Sequence, residues 1–344
     1  MGLNVKDIIP SKEISLDDLS NKRLAVDTYN LLYQFLTTIR QPDGSPLLDS
    51  KGRITSHLNG LFSRTMNLLQ KGIRLAFVFD GAPPALKAQE RERRSRLKKE
   101  AMQEYEIAKE CHDISAMKKH AGRTARLEPE MVEEAKELIR AMGMPVVQAP
   151  SEGEAQAAYM AKKGDVYATV SQDFDTLLYS TPFLVRNLSI TGRRKKAGRL
   201  GFDTIKPELI SLSDVRNRLG LDSEHMVILG MLVGTDYNYG GIKGIGPVKA
   251  LKILKECGND FDALFARVGW EEHFGMPWTD VYYTFRNMPV TDDYCLEWAD
   301  PDLGMVTEIL CDRHDFSRER VENAFSKLSD TRSERSQKGL GEFF

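Results

Sequence analysis

Cysteine and histidine are too sparse and too scattered to organise this chain. The four cysteines (Cys111, Cys257, Cys295 and Cys311) form no CxxC pair, and the six histidines form no HExxH. A structural zinc site and a disulfide framework are set aside, and an intracellular protein is expected. No apolar run reaches the length needed to cross a bilayer, so no membrane partner is expected. The opening MGLNVKDIIP has no apolar signal-peptide core, and Lys6 stands where a myristoylation signal needs Ser or Thr. A net charge of −2 gives no global basic excess, so a nucleic-acid partner has to be argued from local patches. What is present is the composition of a globular protein, 41% hydrophobic and 28% charged, with 344 residues for one large domain or two smaller ones.

The most informative stretch is Pro150 to Leu178, PSEGEAQAAYMAKKGDVYATVSQDFDTLL. Ser151 followed three residues later by Glu154 reads as a capping box, predicting a helix that runs to Lys163 and stops at Gly164. Val166 to Val170 then reads as a short strand, with Asp173 and Asp175 just beyond its C-terminal end. Open α/β sheets bind ligands beyond the carboxyl ends of their strands, so Glu152, Glu154, Asp173 and Asp175 are expected near one another. The blander account is that Glu154 only closes its cap and either aspartate caps a helix begun at Thr176. Two earlier runs share the design. Lys22 to Asp27 and Arg74 to Asp80 both read as apolar strands ending on an acid, with helices over Tyr29 to Ile39 and Ser56 to Gln70. One acid after a strand is often a turn residue, but three recurrences make a pattern. The alternation predicts an α/β fold with a mostly parallel central sheet flanked by helices.

After Asp80 the character changes. Leu86 to Lys109 is highly charged, with Lys87, Arg91, Arg94 and Lys98 on one helical face. Glu90 with Arg94 and Glu92 with Arg96 are i,i+4 partners, which by itself describes a solvated, salt-bridged helix. Residues 81–128 read as a helical insertion projecting from the domain. Glu130 to Met142 reads as an amphipathic helix and Pro145 to Gln148 as a strand. Phe183 to Leu188 and Ile205 to Ile210 read as short strands, Thr191 to Arg199 as a basic turn, and His225 to Val233 as an apolar helix that delivers Asp236. GGIKGIGPVKALKIL, Gly240 to Leu254, has the helix–hairpin–helix pattern. The N–H groups of Gly244, Ile245 and Gly246, the helix start behind them, and Lys249 and Lys252 suit a DNA phosphate; the alternative is a plain tight turn. Trp278, Tyr282, Phe285, Trp298 and Phe316 are candidate core residues. From Ser329 the chain turns polar and is expected to be flexible. Its end, with Gln337, Leu340, Phe343 and Phe344, suits an apolar plug for a partner's pocket.

Asp27, Asp80, Glu152, Glu154, Asp173, Asp175 and Asp236 thus occupy comparable places. Two carboxylates about 4 Å apart repel by roughly 4 kcal/mol at an effective dielectric near 20. Seven together accumulate tens of kcal/mol, against a domain stability of about 5–15 kcal/mol. Such a site must take protons or cations, and oxygen-only ligands favour Mg2+ or Mn2+ over zinc. Two metals can clamp an in-line phosphodiester displacement, with Lys87 and Arg94 stabilising the developing phosphoryl charge.

These residues resemble the flap endonuclease family in its archaeal form over essentially the whole chain. The resemblance rests on AVDTYNLLYQFL, RITSHLNGLFSRT, VFDGAPP, APSEGEAQAAYMA, SQDFDTLL, LVGTDYNYGGIKGIG and QKGLGEFF. It implies a structure-specific 5′ nuclease with 5′–3′ exonuclease activity on branched DNA (5′ flaps, nicked or gapped duplex), in Okazaki fragment maturation and base excision repair. A PIN-like core with two Mg2+ ions, replaceable by Mn2+, goes with it. Residues 1–328 would form a single nuclease domain, with an N-terminal part over 1–98 and a helical arch over 81–128 that a 5′ flap threads. An internal part over 129–258 would contain the helix–hairpin–helix at 234–254, and 259–328 a C-terminal helical part. Residues 329–344 would be a flexible tail whose box at 337–344 docks on the sliding clamp.

By position, Asp27, Asp80, Glu152 and Glu154 look like ligands of the more tightly held metal. Asp173, Asp175 and Asp236 look like those of the second, some through water. Lys87 and Arg94 match the basic pair beside the scissile phosphate, and Tyr33 an aromatic stacking near the cleaved nucleotide. Gly240 to Leu254 matches the DNA-binding hairpin, which in the family also holds K+. Gly2, the N-terminus once Met1 is removed, lies near the active site in relatives. A monomer in the cytoplasm or nucleoid of an archaeon is implied. Tyr239 departs from the proline many archaeal relatives carry, and the chain stops at Phe344 without further basic residues.

Of three rivals, a general 5′ exonuclease is the nearest, because one site can remove both flaps and ends, and two others are weaker. Asp173-Phe174-Asp175-Thr176 fits the D-x-D-T of aspartyl-phosphate phosphohydrolases, but Ser171 and Gln172 separate it from the strand and Glu152 and Glu154 go unused. A non-catalytic clamp-associated DNA-binding protein has no need of every matched acid.

Overall fold

The computed structural model describes residues 3–190, 192–195 and 202–341. Its centre is a seven-stranded sheet made of β1 (Lys12–Glu13), β2 (Arg23–Asp27), β3 (Arg74–Phe79), β4 (Val146–Gln148), β5 (Ala168–Val170), β6 (Phe183–Arg186) and β9 (Glu208–Ser211). Between the last two, β7 (Gly192–Lys195) and β8 (Phe202–Ile205) pair as a separate antiparallel ribbon. The sheet order is β1-β9-β6-β5-β2-β3-β4. All pairs from β6 to β4 are parallel, while β9 and β1 run antiparallel at one edge. The sheet is therefore mostly parallel, as the alternating pattern predicts. Leu24 to Val26 and Leu75 to Phe79 are buried throughout, as continuous apolar runs must be when helices cover both faces.

In chain order, the main helices are α1 (Thr28–Thr38), α2 (Ser56–Gln70), α3 (Ala88–Glu110), α4 (Ile114–Ala121), α5 (Pro129–Ala141), α6 (Gly153–Lys163), α7 (Leu212–Leu219), α8 (Ser223–Val233) and α9 (Pro247–Cys257). One core cluster joins Leu32, Phe35, Leu58, Phe62, Phe77, Phe79 and Leu138 and packs α1, α2 and α5 on the sheet. Another gathers Leu177, Ile228, Leu229, Leu254, Phe265, Trp270 and Phe285 beneath α8 and α9. At about 2 kcal/mol per fully buried large apolar side chain, such clusters outweigh a few unfavourable carboxylate contacts. Of the candidate core aromatics, Phe285 is buried, and Trp278, Tyr282, Trp298 and Phe316 pack partly buried against the core.

The insertion after β3 is a helical hairpin of α3 and α4. It carries its own small apolar cluster of Tyr105, Ala108, Met117 and Ala121. Two expectations need correction. The strand expected over Ile205 to Ile210 is two strands, because Pro207 has no N–H for a ladder; its carbonyl accepts instead from Ile14. The basic turn expected over Thr191 to Arg199 holds the strand β7, Gly192–Lys195; the polar stretch from Ser329 begins within the helix Arg318–Gly341. Gly2, Phe343 and Phe344 lie outside the described residues, whereas Gln337 and Leu340 fall within that last helix.

Candidate active site

Three adjacent parallel strands, β5, β2 and β3, end at the same edge of the sheet, and that edge gathers the acids. Asp27 is both the last residue of β2 and the cap of α1, its Oδ1 accepting from the Asn30 N–H at 3.1 Å. Asp80 follows β3. Its Oδ1 accepts the Gly153 N–H at 2.7 Å, so a carboxylate from a neighbouring strand closes the start of α6. Glu152 is the cap residue of that helix and Glu154 lies in its first turn, where the helix dipole favours negative charge. Asp173 and Asp175 follow β5, and Asp236 follows α8.

The capping box expected at Ser151 does not form. Helix α6 starts two residues later, and the Ser151 hydroxyl donates to the Ala82 carbonyl at 2.8 Å, tying together the segments after β3 and β4. A long-range partner, Asp80, has taken the capping role.

Several supporting groups carry no signal in the sequence pattern. Asn30 donates through Nδ2 to Asp173 Oδ2 at 2.9 Å, while its backbone serves Asp27. The Ser171 hydroxyl donates to Asp27 Oδ2 at 3.1 Å and accepts from the Asp173 N–H at 3.2 Å. The Leu3 N–H donates to Asp175 Oδ1 at 2.9 Å. The buried Asn238 donates to the Met231 carbonyl at 2.6 Å and accepts from the Thr235 hydroxyl at 2.6 Å, which fixes the turn carrying Asp236.

The acids perturb one another strongly. Burial, then the charges of Asp80 and Asp173, push the Asp27 carboxyl up to about 8. Burial and Asp173 push Asp175 up to about 7. Glu154 is driven well above the carboxylate range by burial and then by Asp175, Asp27 and Asp173. Burial likewise raises Asp80 and Glu152, with nearby Lys87 acting in the opposite sense. These cross-couplings place the seven carboxylates in one electrostatic unit.

Two cations of the chain enter that unit. Lys87 Nζ lies 2.6 Å from Glu152 Oε2 and 3.3 Å from Asp236 Oδ2. The Arg94 guanidinium pairs with Asp236 and, through Nε, with Glu90 at 2.6 Å. Burial alone would lower the Lys87 ammonium, but Glu152 and Asp236 outweigh it and hold the charge firmly. Among the described residues, no three His, Cys, Asp or Glu side chains are arranged to hold a metal ion as they stand. The acids converge while Lys87 and Arg94 supply part of the counter-charge. The donor chemistry still fits a hard divalent ion: it is all oxygen, and burial followed by mutual repulsion raises Asp27, Glu154 and Asp175, a penalty that such an ion relieves.

The comparisons decide the family. The chain matches the XPG N-terminal domain over residues 4–101 and the XPG I-region over residues 143–236. It is 53% identical over 331 residues to flap endonuclease 1 of Aeropyrum pernix, covering 95% of this chain and 94% of that one. The chain belongs to the flap endonuclease family. Its fold superposes on flap endonuclease-1 of Methanococcus jannaschii with a TM-score of 0.75 at 41% identity, covering 97% of this chain and 100% of that one. The catalytic core of Rad2 in complex with DNA substrate matches at a TM-score of 0.71 and 25% identity, over 95% of this chain and 100% of that one.

The remaining positions suggested by the family resemblance are placed as follows. Tyr33, on α1, is half-buried with Lys98 Nζ 4.4 Å above its ring and 3.3 Å from its hydroxyl. The turn between α8 and α9 uses left-handed glycines where the backbone doubles back: a Cβ on Gly241 would meet Val233 O at 2.4 Å. Gly246 caps α9, with Pro247 in its first turn. The Ile245 N–H, expected to face a phosphate, donates to the Ile242 carbonyl at 3.0 Å, and its side chain packs on the core. Lys249 Nζ lies 3.3 Å from the Gly244 carbonyl, and Lys252 lies 3.9 Å from Glu256. Among the described residues, no helix is long and apolar enough to cross a membrane.

Proposed function

We propose that this chain hydrolyses phosphodiester bonds of branched DNA at the junction of a 5′ flap with its duplex. The same site would trim 5′ ends of nicked or gapped duplex, in Okazaki fragment maturation and base excision repair. The observation that supports this most is the meeting of seven carboxylates with Lys87 and Arg94 at the strand ends. The family's nucleases are metal-dependent. Asp27, Asp80, Glu152 and Glu154 would hold one Mg2+, and Asp173, Asp175 and Asp236 a second, with Mn2+ able to replace either. Two such ions, when bound, supply water activation and charge stabilisation for an in-line displacement.

The chain's own residues do the rest. Lys87 and Arg94 exchange Glu152 and Asp236 for the phosphate, donating to its oxygens as charge builds in the transition state. The Tyr33 ring takes a nucleobase in place of Lys98, because a flat aromatic face stacks on any base. Gly244, Gly246 and the start of α9 grip a duplex phosphate, with Lys249 and Lys252 adding charge and the turn suited to K+. Gly2 would take part in binding the DNA. Residues 81–128 would serve as an arch for the flap on a single nuclease domain over 1–328. The box at Gln337, Leu340, Phe343 and Phe344 would dock on a sliding clamp. The protein would act as a monomer in the cytoplasm or nucleoid of an archaeon.

Cleavage of an end-labelled double-flap substrate in Mg2+, beside a labelled single strand, tests the proposal. A cut at the junction that EDTA abolishes is expected. Equal cutting of the single strand, or none of the flap, overturns it.

A further inference from the structure

Glu90 lies at the base of the inserted hairpin, in a helix more than half of whose residues are charged. It is only 4% exposed, far more buried than an i,i+4 surface partner needs to be. Both carboxylate oxygens are engaged: Oε2 accepts from Arg93 Nε at 2.6 Å, and Oε1 accepts from Arg93 Nη2 at 2.9 Å and Arg94 Nε at 2.6 Å. Arg93 is therefore gripped along one edge, the forked geometry that leaves a guanidinium least freedom. Its flat face lies on the Tyr239 ring, 3.7 Å from guanidinium carbon to ring centroid. Tyr239, 48% exposed, belongs to the turn that carries Asp236 and leads into α9. Arg94, with Nε held by Glu90, directs a terminal nitrogen at Asp236.

We propose that Glu90 is a positioning residue. Its one carboxylate sets the plane of Arg94 and, through Arg93 stacked on Tyr239, ties that plane to the turn bearing Asp236. The inference rests on the reading of Arg94 as a phosphate-facing cation. With Nε engaged, Arg94 has its terminal nitrogens for a phosphate and cannot roll to present its other edge. Without Glu90, Arg94 keeps its charge but loses a defined orientation, and a misplacement of about 1 Å in such a group can cost about a hundredfold in rate. The aromatic ring at 239 gives Arg93 a second surface to rest on, so the base of α3 and the turn move as one piece.

The test is a double-mutant cycle on single-turnover cleavage of a labelled double-flap DNA in Mg2+, with DNA affinity and melting temperature measured on each variant. Arg94→Ala is expected to slow cleavage by about a hundredfold or more. Glu90→Gln is expected to slow it by about tenfold while changing DNA affinity by less than about twofold. Adding E90Q to R94A should cost nothing further, because groups acting as one unit are not additive. Multiplicative losses would show that Glu90 acts independently of Arg94, and the proposal falls. A slow R94A with E90Q at the wild-type rate sinks the proposal alone. A wild-type rate in R94A sinks the reading of Arg94, and the proposal with it. Should E90Q fail to fold, Tyr239→Leu carries the same cycle with the carboxylate in place. A loss of about threefold that vanishes in the R94A background supports the link, and an unchanged rate overturns it.

Discussion

The Nζ of Lys87 stands 2.6 Å from Oε2 of Glu152, joining the segment after β3 to the cap of α6. The contact makes Lys87 a counter-charge for the acids and, under the proposed function, a group at hand for a phosphate. Lys87→Ala should therefore slow flap cleavage by about 10²–10³-fold. It should also lower the melting temperature measured in EDTA, and Mg2+ should recover more of that loss than it adds to the wild type. Thermal melts with and without EDTA, beside single-turnover rates, check both halves.

Mg2+ should raise the melting temperature of the wild-type protein by a few degrees, because a ligand that binds only the folded state stabilises it by mass action. Asp175→Ala should remove most of that shift. Asp27 and Asp175 are held up to about 8 and about 7, so an incoming ion must displace protons near neutral pH. The Mg2+-induced shift should grow between pH 6 and pH 8, and a shift that shrinks with rising pH would contradict the raised Asp27 and Asp175.

Gly153 is where α6 comes closest to Asp80. A Cβ there would lie 2.6 Å from Asp80 Oδ1. Gly153→Ala should displace that carboxylate and reduce cleavage by about tenfold or more. Its melting temperature in EDTA should change far less than its rate, since a capping bond contributes only about 1 kcal/mol. Rates and melts on the same preparation decide.

His57 contributes a pH-dependence of stability separate from that of the acids. It is wholly buried, both ring nitrogens lack partners among the described residues, and it faces His314, itself set between Asp49 and Glu134. Burial, then His314, holds the imidazole down to about 3 from its ordinary 6.5. Between those values the unfolded chain binds a proton that the folded chain refuses. The contribution of this group accordingly falls as pH drops below about 6.5, by about 2 kcal/mol at pH 5, while the raised Asp27 and Asp175 contribute in the opposite sense. Denaturant melts at pH 7 and pH 5 should show His57→Leu gaining about that amount relative to the wild type on going to pH 5.

At the hairpin, Lys249→Ala should weaken duplex binding alike for all sequences. It should lower the slope of log affinity against log salt by about 1, as for one lost phosphate contact. Titrations at several salt concentrations give the slope directly.

Much of this site was legible in the sequence because its rule is local. An apolar run ending on an acid marks a strand's carboxyl edge, and Asp27, Asp80 and Asp173 each follow that rule; Ser56–Gln70 likewise falls where its periodicity puts it. What escaped was decided at long range. Ser151 has the spacing of a cap, but Asp80, 73 residues from Gly153, won the helix start. Glu90 and Arg94 show an i,i+4 spacing that is identical for a solvated pair and a buried one. Only the fold brings Tyr239 against Arg93, which that carboxylate holds. Asn30 and Ser171 are ordinary helix and turn residues until β2 and β5 lie side by side.

The placement of β2 between β3 and β5 also bears on how the protein is made. Asn30 meets Asp173 across 143 residues of chain, and Asp236 arrives later still. A ribosome-bound fragment therefore carries the first acids long before it holds their neighbours. Under the proposed function, a product truncated ahead of Asp236 would lack one acid of the metal set, whatever else it had folded.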